Sequence, residues 1–162
     1  MYPFSFQNPT RIEFGLDKEK EMGKYMHEYG SKKALIIYGS ERVKQSGLFE
    51  DVAKSLREQG IEYIECGGVK SNPTISKVPE AVAMAKTFGA DSVLSIGGGS
   101  CLDSAKAIAA GACYDGDTWD FFKGTPVQKA LMIFDVITLA ATGSEMNWGS
   151  VITVSYTHLT LP

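Results

Sequence analysis

The stretch Ser92-Val93-Leu94-Ser95-Ile96-Gly97-Gly98-Gly99-Ser100 determines how the rest of the chain is interpreted. Its first five residues form a short, mostly apolar run, which is typical of a strand covered on both faces. The residues that follow, 101–112, predict a helix. Because glycine carries no Cβ, the backbone N–H groups of the turn can approach a phosphate closely, and the start of the helix adds the positive end of its dipole. The stretch therefore predicts a strand, a pyrophosphate-binding turn and a helix in succession.

The glycine-rich turn differs from the two best-known nucleotide motifs. Leu102 stands where the dinucleotide fingerprint has glycine or alanine, and the acidic residue expected further on is Asp117 or Asp120, both in a predicted loop. No Gly-Lys-Ser/Thr sequence closes the turn, so it is not a P-loop. Ser100 and Asp103 have the spacing of a capping box, and we expect them to cap the helix. A tight turn without a ligand is the alternative, but the strand before it and the helix after it favour a ligand.

Apolar runs and helical spacings alternate along the rest of the chain. The predicted strands cover residues 34–38, 61–66, 92–96 and 131–137. The predicted helices cover residues 17–29, 48–59, 79–88 and 101–112, with Asp17 as the N-cap of the first. Residues 4–14 alternate loosely and predict one or two further strands, whereas residues 113–127 predict a loop. This order predicts an α/β fold with a doubly wound parallel sheet.

Ligands bind beyond the carboxyl ends of the strands in such sheets. Glycines and polar residues follow four predicted strands: Gly39-Ser40, residues 67–72 with Asn72, residues 97–100, and residues 138–144. The last group carries the hydroxyls of Thr138, Thr142 and Ser144, which can bond phosphate, ribose or a nicotinamide amide. Ser144 with Glu145 also fits a simple cap of the next segment, and Asn72 with Pro73 fits a turn.

A serine nucleophile is a weaker enzymatic interpretation of the same segment. Gly143-Ser144-Glu145 lacks the second half of Gly-x-Ser-x-Gly, and only His27 and His158 are available as a base. Two histidines also fall short of the usual catalytic zinc site, which takes about three protein ligands. We therefore expect neither a hydrolase triad nor a metal site in this chain.

Composition limits the remaining classes of function. The net charge of −3 provides no cationic surface for nucleic acid or an anionic membrane. No apolar run approaches the length of a bilayer span. Cys66, Cys101 and Cys113 are widely spaced and odd in number, which favours reduced, partly buried thiols. We predict a cytoplasmic protein with no nucleic-acid or membrane partner.

Four segments, in order along the chain, resemble iron-containing (group III) alcohol dehydrogenases. Residues 96–106, Ile-Gly-Gly-Gly-Ser-Cys-Leu-Asp-Ser-Ala-Lys, resemble the family signature G-G-G-S-x-x-D-x-x-K. Residues 138–147, Thr-Leu-Ala-Ala-Thr-Gly-Ser-Glu-Met-Asn, are similar to its T-x-x-A-T-G-S-E segment. Residues 6–15 fit its F-x-N-P-T-x-I-x-F-G opening, and residues 38–47 resemble the butanol dehydrogenase branch. The resemblance covers about residues 1–153.

The resemblance implies a particular architecture and chemistry. Family members have an N-terminal nucleotide domain, here residues 1–153, like that of dehydroquinate synthase, and a C-terminal helical domain that this chain lacks. A divalent metal, iron or zinc, is held by the helical domain and polarises the substrate oxygen while hydride passes between a nicotinamide and an alcohol or aldehyde. Members often form homodimers through the N-terminal stretch. Residues 154–162 fit no family pattern, and we expect them to be a non-native tail.

The resemblance also assigns roles in this chain, none of them catalytic or metal-binding. Carried over by position, the following residues are expected to line the cofactor cleft: Gly39, Ser40, Asn72, Gly97, Gly98, Gly99, Ser100, Asp103, Thr138, Thr142, Ser144 and Asn147. Asp103 is expected to act mainly as the cap of the phosphate-binding helix. Two alternatives stay open: a stand-alone module for a nucleotide or sugar phosphate, and a relative of glycerol dehydrogenase or dehydroquinate synthase.

The choice between the two nicotinamide cofactors depends on the residues after the first predicted strand. Members that use NAD often carry an aspartate there, which bonds the adenosine ribose. Here Gly39 and Ser40 are neutral, Arg42 and Lys44 bring positive charge, and Glu41 opposes it. We predict NADP(H) in preference to NAD(H).

Overall fold

The computed structural model describes residues 5, 7–69 and 77–153. Four strands form one sheet: β1 (Lys33–Tyr38), β2 (Glu62–Cys66), β3 (Ser92–Gly97) and β4 (Met132–Ile137). Their order across the sheet is β2-β1-β3-β4, and every neighbouring pair is parallel. The predicted parallel sheet and its four strands are confirmed.

Helices connect the strands in the expected alternation. They are α1 (Met22–Glu28), α2 (Arg42–Gln45), α3 (Leu48–Glu58), α4 (Lys77–Phe88), α5 (Gly99–Ala112) and α6 (Trp119–Phe122). Two short 3-10 helices, Lys18–Glu21 and Ser144–Met146, precede α1 and follow β4. The brief helices α2 and α6 were not predicted, and α6 lies in the segment expected to be a loop.

The helices cover both faces of the sheet, which explains the continuous apolar runs in its strands. On one face, Met26 of α1 and Val52 and Leu56 of α3 pack against Ile36 and Leu94. On the other face, α4 and α5 cover a second cluster that includes Leu35, Ile37, Val93, Ala105 and Ile108. All six residues of β3 are buried, as expected for an inner strand between two helical layers. The doubly wound arrangement is therefore confirmed.

Two local predictions at the start of the chain are wrong. Asp17 does not cap a helix with its side chain; its backbone is left-handed, with φ of 59°, and its carboxylate accepts from Lys20 Nζ at 2.6 Å. In residues 5 and 7–14, the described part of the segment predicted to form one or two strands, no strand is present. By contrast, the helix predicted over residues 48–59 is present as α3, and Gly60 follows it with a φ of 69°, a left-handed conformation that suits glycine at the end of a helix.

The register of the sheet brings the carboxyl ends of three strands to one edge. Tyr38 of β1 lies beside Ile96 of β3, and Gly97 lies beside Ile137 of β4. The turns after these strands therefore start side by side. Across the described ranges, no helix is both long enough and apolar enough to cross a membrane.

Candidate functional site

The glycine-rich turn and the polar segment after β4 meet at this edge. The backbone N–H of Thr138 donates to the carbonyl oxygen of Gly97 at 2.8 Å. A Cβ atom on Gly99 would lie 2.8 Å from Thr142 Oγ1, closer than real side chains pack. The structure thus brings together two segments that lie about 40 residues apart along the chain.

The N-terminus of α5 opens at the centre of this edge. Gly98 is the N-cap, with an extended backbone, and no side chain in the described part of the chain caps the helix. Among the residues that the structure describes, a Cβ on Gly98 would meet nothing closer than Leu139 Cβ at 4.0 Å, so none of them fills the space above this residue. Uncapped N–H groups at the start of a helix are suited to binding an anion such as a phosphate.

The predicted capping box does not form, because its carboxylate has another partner. Asp103 Oδ1 accepts from the hydroxyl of Ser144 at 2.7 Å, and Ser100 already lies within the first turn of α5. Sequence spacing alone could not reveal Ser144, which is 41 residues away. The expected capping role of Asp103 is therefore wrong.

Gly39 and Ser40 follow β1 on the far side of the glycine-rich turn from β4. Gly39 is packed closely, since an added Cβ would lie 3.1 Å from the carbonyl oxygen of Val69, whereas Ser40 is exposed. Cys101 fills the space below both turns, with its Sγ 3.7 Å from the Cβ position of Gly39 and 2.5 Å from that of Gly97. Burial raises the pKa of the Cys101 thiol to about 11, so it is a neutral packing group here.

The positive charge beside this turn is smaller than the sequence suggests. Lys44 Nζ lies 2.5 Å from Glu65 Oε2, and the Tyr38 hydroxyl donates to the same carboxylate at 2.9 Å. Arg42 forms no ion pair with any residue that the structure describes. Of these two cations, only Lys44 is paired with a described carboxylate.

Lys106 is a central residue of the site to which the sequence analysis gave no role. Its Nζ donates toward the carbonyl oxygens of Ser144 at 2.7 Å, Asn147 at 2.9 Å and Gly149 at 2.7 Å. Burial lowers the pKa of the Lys106 ammonium, and the negative charge of Asp103 is the largest opposing effect. The family-like signature contains this lysine three residues after Asp103, which was the available signal.

Asp135 is a second such residue, in the middle of β4. It lies beside Ser95 of β3, whose hydroxyl donates to its carboxylate. Burial raises the pKa of Asp135 to about 7; the hydrogen bond from Ser95 lowers it, and the charge of Glu145 raises it further. A single carboxylate inside the apolar run Met-Ile-Phe-Asp-Val-Ile was the signal in the sequence.

The remaining predicted cleft residues differ in accessibility. Thr138, Thr142 and Asn147 are exposed at the edge, whereas Ser144 is buried, 4% exposed. The side chain of Asn147 bridges the carbonyl oxygen of Gly143 and the N–H of Gly149, both at 2.9 Å. Asn72 lies outside the described residues, as does the predicted tail at 154–162.

In residues 5, 7–69 and 77–153 there is no group of three or more His, Cys, Asp or Glu side chains placed to hold an ion.

A parallel sheet covered by helices on both faces, with a glycine-rich turn leading from β3 into α5, defines a doubly wound α/β domain. Residues 9–161 match the family described as iron-containing alcohol dehydrogenase, and the chain belongs to that family. The resemblance inferred from the four sequence segments is confirmed.

Named relatives agree with this assignment. The chain is 45% identical over 154 residues to a probable NADH-dependent butanol dehydrogenase of Bacillus subtilis, covering 94% of this chain and 40% of the relative. It is 36% identical to an NADPH-dependent aldehyde reductase of Escherichia coli, with 94% and 39% covered. The crystal structure of NADH-dependent butanol dehydrogenase A from Thermotoga maritima superposes with a TM-score of 0.92 at 48% identity, over 95% of this chain and 39% of that one. The chain thus spans about 40% of the length of these proteins.

Proposed function

We propose that the protein is an NAD(P)-dependent oxidoreductase that interconverts primary alcohols and aldehydes, and that residues 1–153 form its dinucleotide-binding domain. The observation that carries this proposal is the N-terminus of α5 at Gly98, which no described side chain caps or covers, beside the exposed hydroxyls of Thr138 and Thr142. Relatives named as butanol dehydrogenases and aldehyde reductases support the substrate class.

Different residues at the edge of the sheet bind different parts of the cofactor. Gly97, Gly98, Gly99 and Ser100 hold the pyrophosphate through the backbone N–H groups at the start of α5, and at Gly98 the approach is free of a Cβ atom. Gly39 and Ser40 face the adenosine ribose on the β1 side. Thr138, Thr142, Ser144, Asn147 and Asp103 form the opposite side, and Asn72 belongs to the same cleft. When bound, the nicotinamide donates or accepts the hydride.

The metal and the catalytic residues belong to a part of the protein outside this chain. The two histidines of this chain fall short of the usual catalytic zinc ligands, which supports a metal held by the helical domain that the family resemblance implies. The complete protein is a cytoplasmic homodimer in this proposal.

NADP(H) is the preferred cofactor in this proposal. Ser40 is exposed and neutral, and the charge of Arg42 lies two residues further on. Two observations oppose the preference: Lys44 is paired with Glu65, and the Bacillus subtilis relative is named for NADH. The preference therefore depends on Ser40 and Arg42 alone.

Gly98→Ala tests the cofactor site directly. The added methyl group contacts no described residue within 4 Å other than Leu139, and the extended backbone at Gly98 suits alanine. We therefore expect the melting temperature to change by no more than about 2 °C. The same methyl group stands where the pyrophosphate is proposed to bind, so the dissociation constants for NADH and NADPH should rise at least about ten-fold.

The measurement is a fluorescence titration of both reduced cofactors with the protein expressed from its complete reading frame. Unchanged affinity in Gly98→Ala contradicts the proposed pyrophosphate site. If the wild-type protein binds ADP-ribose but oxidises no primary alcohol and reduces no aldehyde, it is a nucleotide-binding module instead.

A further inference from the structure

We propose that Lys106 is a positioning residue, whose ammonium holds residues 143–149 in the form that receives the nicotinamide half of the cofactor. Residues 143–149 are called the clamp segment below. This inference rests on the proposed function, because it assigns a task to Lys106 at the same site.

The clamp segment wraps its oxygen atoms around the ammonium. Three of its carbonyl oxygens, from Ser144, Asn147 and Gly149, lie 2.7–2.9 Å from Lys106 Nζ. The Ser144 hydroxyl lies at 2.8 Å and the Asn147 amide oxygen at 3.4 Å. An ammonium has three N–H groups and no acceptor, so five oxygens leave none of its donors without a partner. The arrangement resembles the way backbone carbonyls surround a small cation.

Apart from its contacts with Lys106 and Asp103, the clamp segment has few contacts with other described residues that hold it in place. Its regular structure is a single 3-10 turn, Ser144–Met146, after a left-handed Gly143 with φ of 68°. Its largest apolar side chain, Trp148, is 97% exposed and so contributes little packing. Two outer contacts come from the N-terminal stretch, where Asn8 donates to Met146 O at 2.9 Å and Thr10 to Glu145 O at 3.0 Å.

The Ser144 hydroxyl is part of the clamp. It accepts from Lys106 Nζ at 2.8 Å and donates to Asp103 Oδ1 at 2.7 Å. Both partners lie on α5, three residues apart and hence on one face of the helix. With both contacts made and the residue buried, Ser144 anchors the segment to α5, and the exposed Thr142 is left to meet the cofactor.

The clamp fixes one side of the cleft relative to the other. The helix that starts at the glycine-rich turn also carries Asp103 and Lys106, so α5 sets the distance from Gly99 to the segment after β4. Since β1 and β4 lie on opposite sides of β3, the half of a dinucleotide that faces away from Gly39 must lie beside this segment. Loss of Lys106 should therefore weaken contacts to the nicotinamide half and spare the pyrophosphate turn.

Lys106→Gln tests this division. Glutamine removes the charge and shortens the reach, so it cannot satisfy three carbonyls at once. We expect the dissociation constants for NADH and NADPH to rise at least about ten-fold, and that for ADP-ribose by less than about three-fold. The matched control is Lys86→Gln. Lys86 lies on α4, and its Nζ also donates to a backbone carbonyl oxygen, that of Tyr114. The control should leave all three constants unchanged.

Hydrogen exchange gives a second readout that needs no cofactor. In Lys106→Gln, amide exchange should rise in the clamp segment and stay unchanged in β3. Lys106→Arg, which keeps the charge and several donors, should restore part of the affinity and of the protection.

The outcomes separate this inference from the proposed function. A wild-type protein that binds neither ADP-ribose nor a reduced cofactor contradicts the proposed function. Amide hydrogen exchange in Lys106→Gln then tests separately whether Lys106 holds the clamp segment in place. An equal loss of affinity for ADP-ribose and for the reduced cofactors, no loss for either, or unchanged exchange in the clamp segment overturns the inference.

Discussion

The hydroxyl oxygen of Thr142 lies 2.8 Å from the point where a side chain on Gly99 would begin. Gly99→Ala therefore forces the Thr142 hydroxyl to move from its present position. Because Thr142 is exposed and free to turn, we expect little loss of stability, but affinity for NAD(P)H should fall by about three- to ten-fold.

A double-mutant cycle isolates this contact. In a Thr142→Ala background the methyl group at position 99 has more room, so Gly99→Ala should cost less affinity there than in the wild type. Fluorescence titration of the four proteins gives the coupling, for which we expect about 0.5–1.5 kcal/mol. Strictly additive effects would show that the two residues do not act together.

The fold could be predicted from local sequence patterns because helices cover both faces of the sheet. A strand such as β3, with all six residues buried, has to be apolar along its whole length, and that run is visible in the sequence. Gly60 likewise marks the end of α3 through its own backbone preference. These features depend on neighbours in the chain, and sequence patterns describe such neighbours well.

The site was harder to predict because its contacts join distant positions. Asp103 fits a capping box by spacing, yet Ser144 binds its carboxylate from 41 residues away. The sequence does not distinguish Lys106 from the other lysines, because the three carbonyl oxygens around it come together only in the folded chain. The positions of Gly97–Gly99 and of Thr138 and Thr142 at strand ends could be predicted, because parallel strands end at the same edge.

Gly23 in α1 should not tolerate alanine, although alanine normally favours a helix by about 1 kcal/mol. An added Cβ would lie 2.0 Å from the backbone oxygen of Ser55, so α1 and α3 would have to separate. We expect Gly23→Ala to lower the free energy of unfolding by about 2–3 kcal/mol.

The matched control is Lys24→Ala on the same helix, whose side chain is 58% exposed. It should change the stability by less than about 0.5 kcal/mol. Urea unfolding of both variants makes the comparison, and a Gly23→Ala protein as stable as the wild type would show that the helices are not packed this closely.

Asp135 should make the protein less stable as the pH rises. Its pKa is raised to about 7 in the folded state, above the ordinary value of about 3.9, so the folded state binds the proton more tightly. The resulting stabilisation is complete below about pH 4 and is lost as the pH rises through 7. Asp135→Asn removes this dependence and can still accept the hydrogen bond from Ser95.

We expect Asp135→Asn to raise the free energy of unfolding at pH 8 by about 2 kcal/mol, less than a fully buried carboxylate would give because solvent screens part of the effect. The increase at pH 5 should be smaller. Thermal unfolding at both pH values measures the difference. Asp115→Asn, at an exposed position, is the control. A gain of the same size at both pH values would mean that ionisation of Asp135 is not the cause.

Phe14 and Leu16 should form part of the homodimer contact of the complete protein. They are 97% and 96% exposed in the single chain, an unfavourable position for large apolar side chains unless a second copy covers them. We expect sedimentation to show a dimer for the wild type and a monomer for the double variant Phe14→Ser, Leu16→Ser. Val127→Ser, at an apolar position that is 52% exposed elsewhere, should stay dimeric. A monomeric wild type contradicts the proposed assembly.

The cofactor preference is best tested at Ser40. Gly39→Asp would place a Cβ 3.1 Å from the Val69 carbonyl oxygen, so its effect on kinetics would combine steric strain with the added charge. Ser40 is exposed, so a carboxylate at this position adds charge without steric strain. A carboxylate there repels a 2′-phosphate and bonds a 2′-hydroxyl. We expect Ser40→Asp to shift the ratio of kcat/KM for NADPH to that for NADH at least about ten-fold toward NADH, which corresponds to about 1–3 kcal/mol.

Two further variants show which cation supports the preference for NADP(H). Arg42→Ala should lower the same ratio, because Arg42 has no carboxylate partner in the described chain. Lys44→Ala should lower it less, since Glu65 already holds that ammonium at 2.5 Å. Steady-state kinetics of the protein from its complete reading frame decides among them. A wild type that prefers NADH refutes the preference, and a ratio unmoved by Ser40→Asp shows that the choice is made away from the turn after β1.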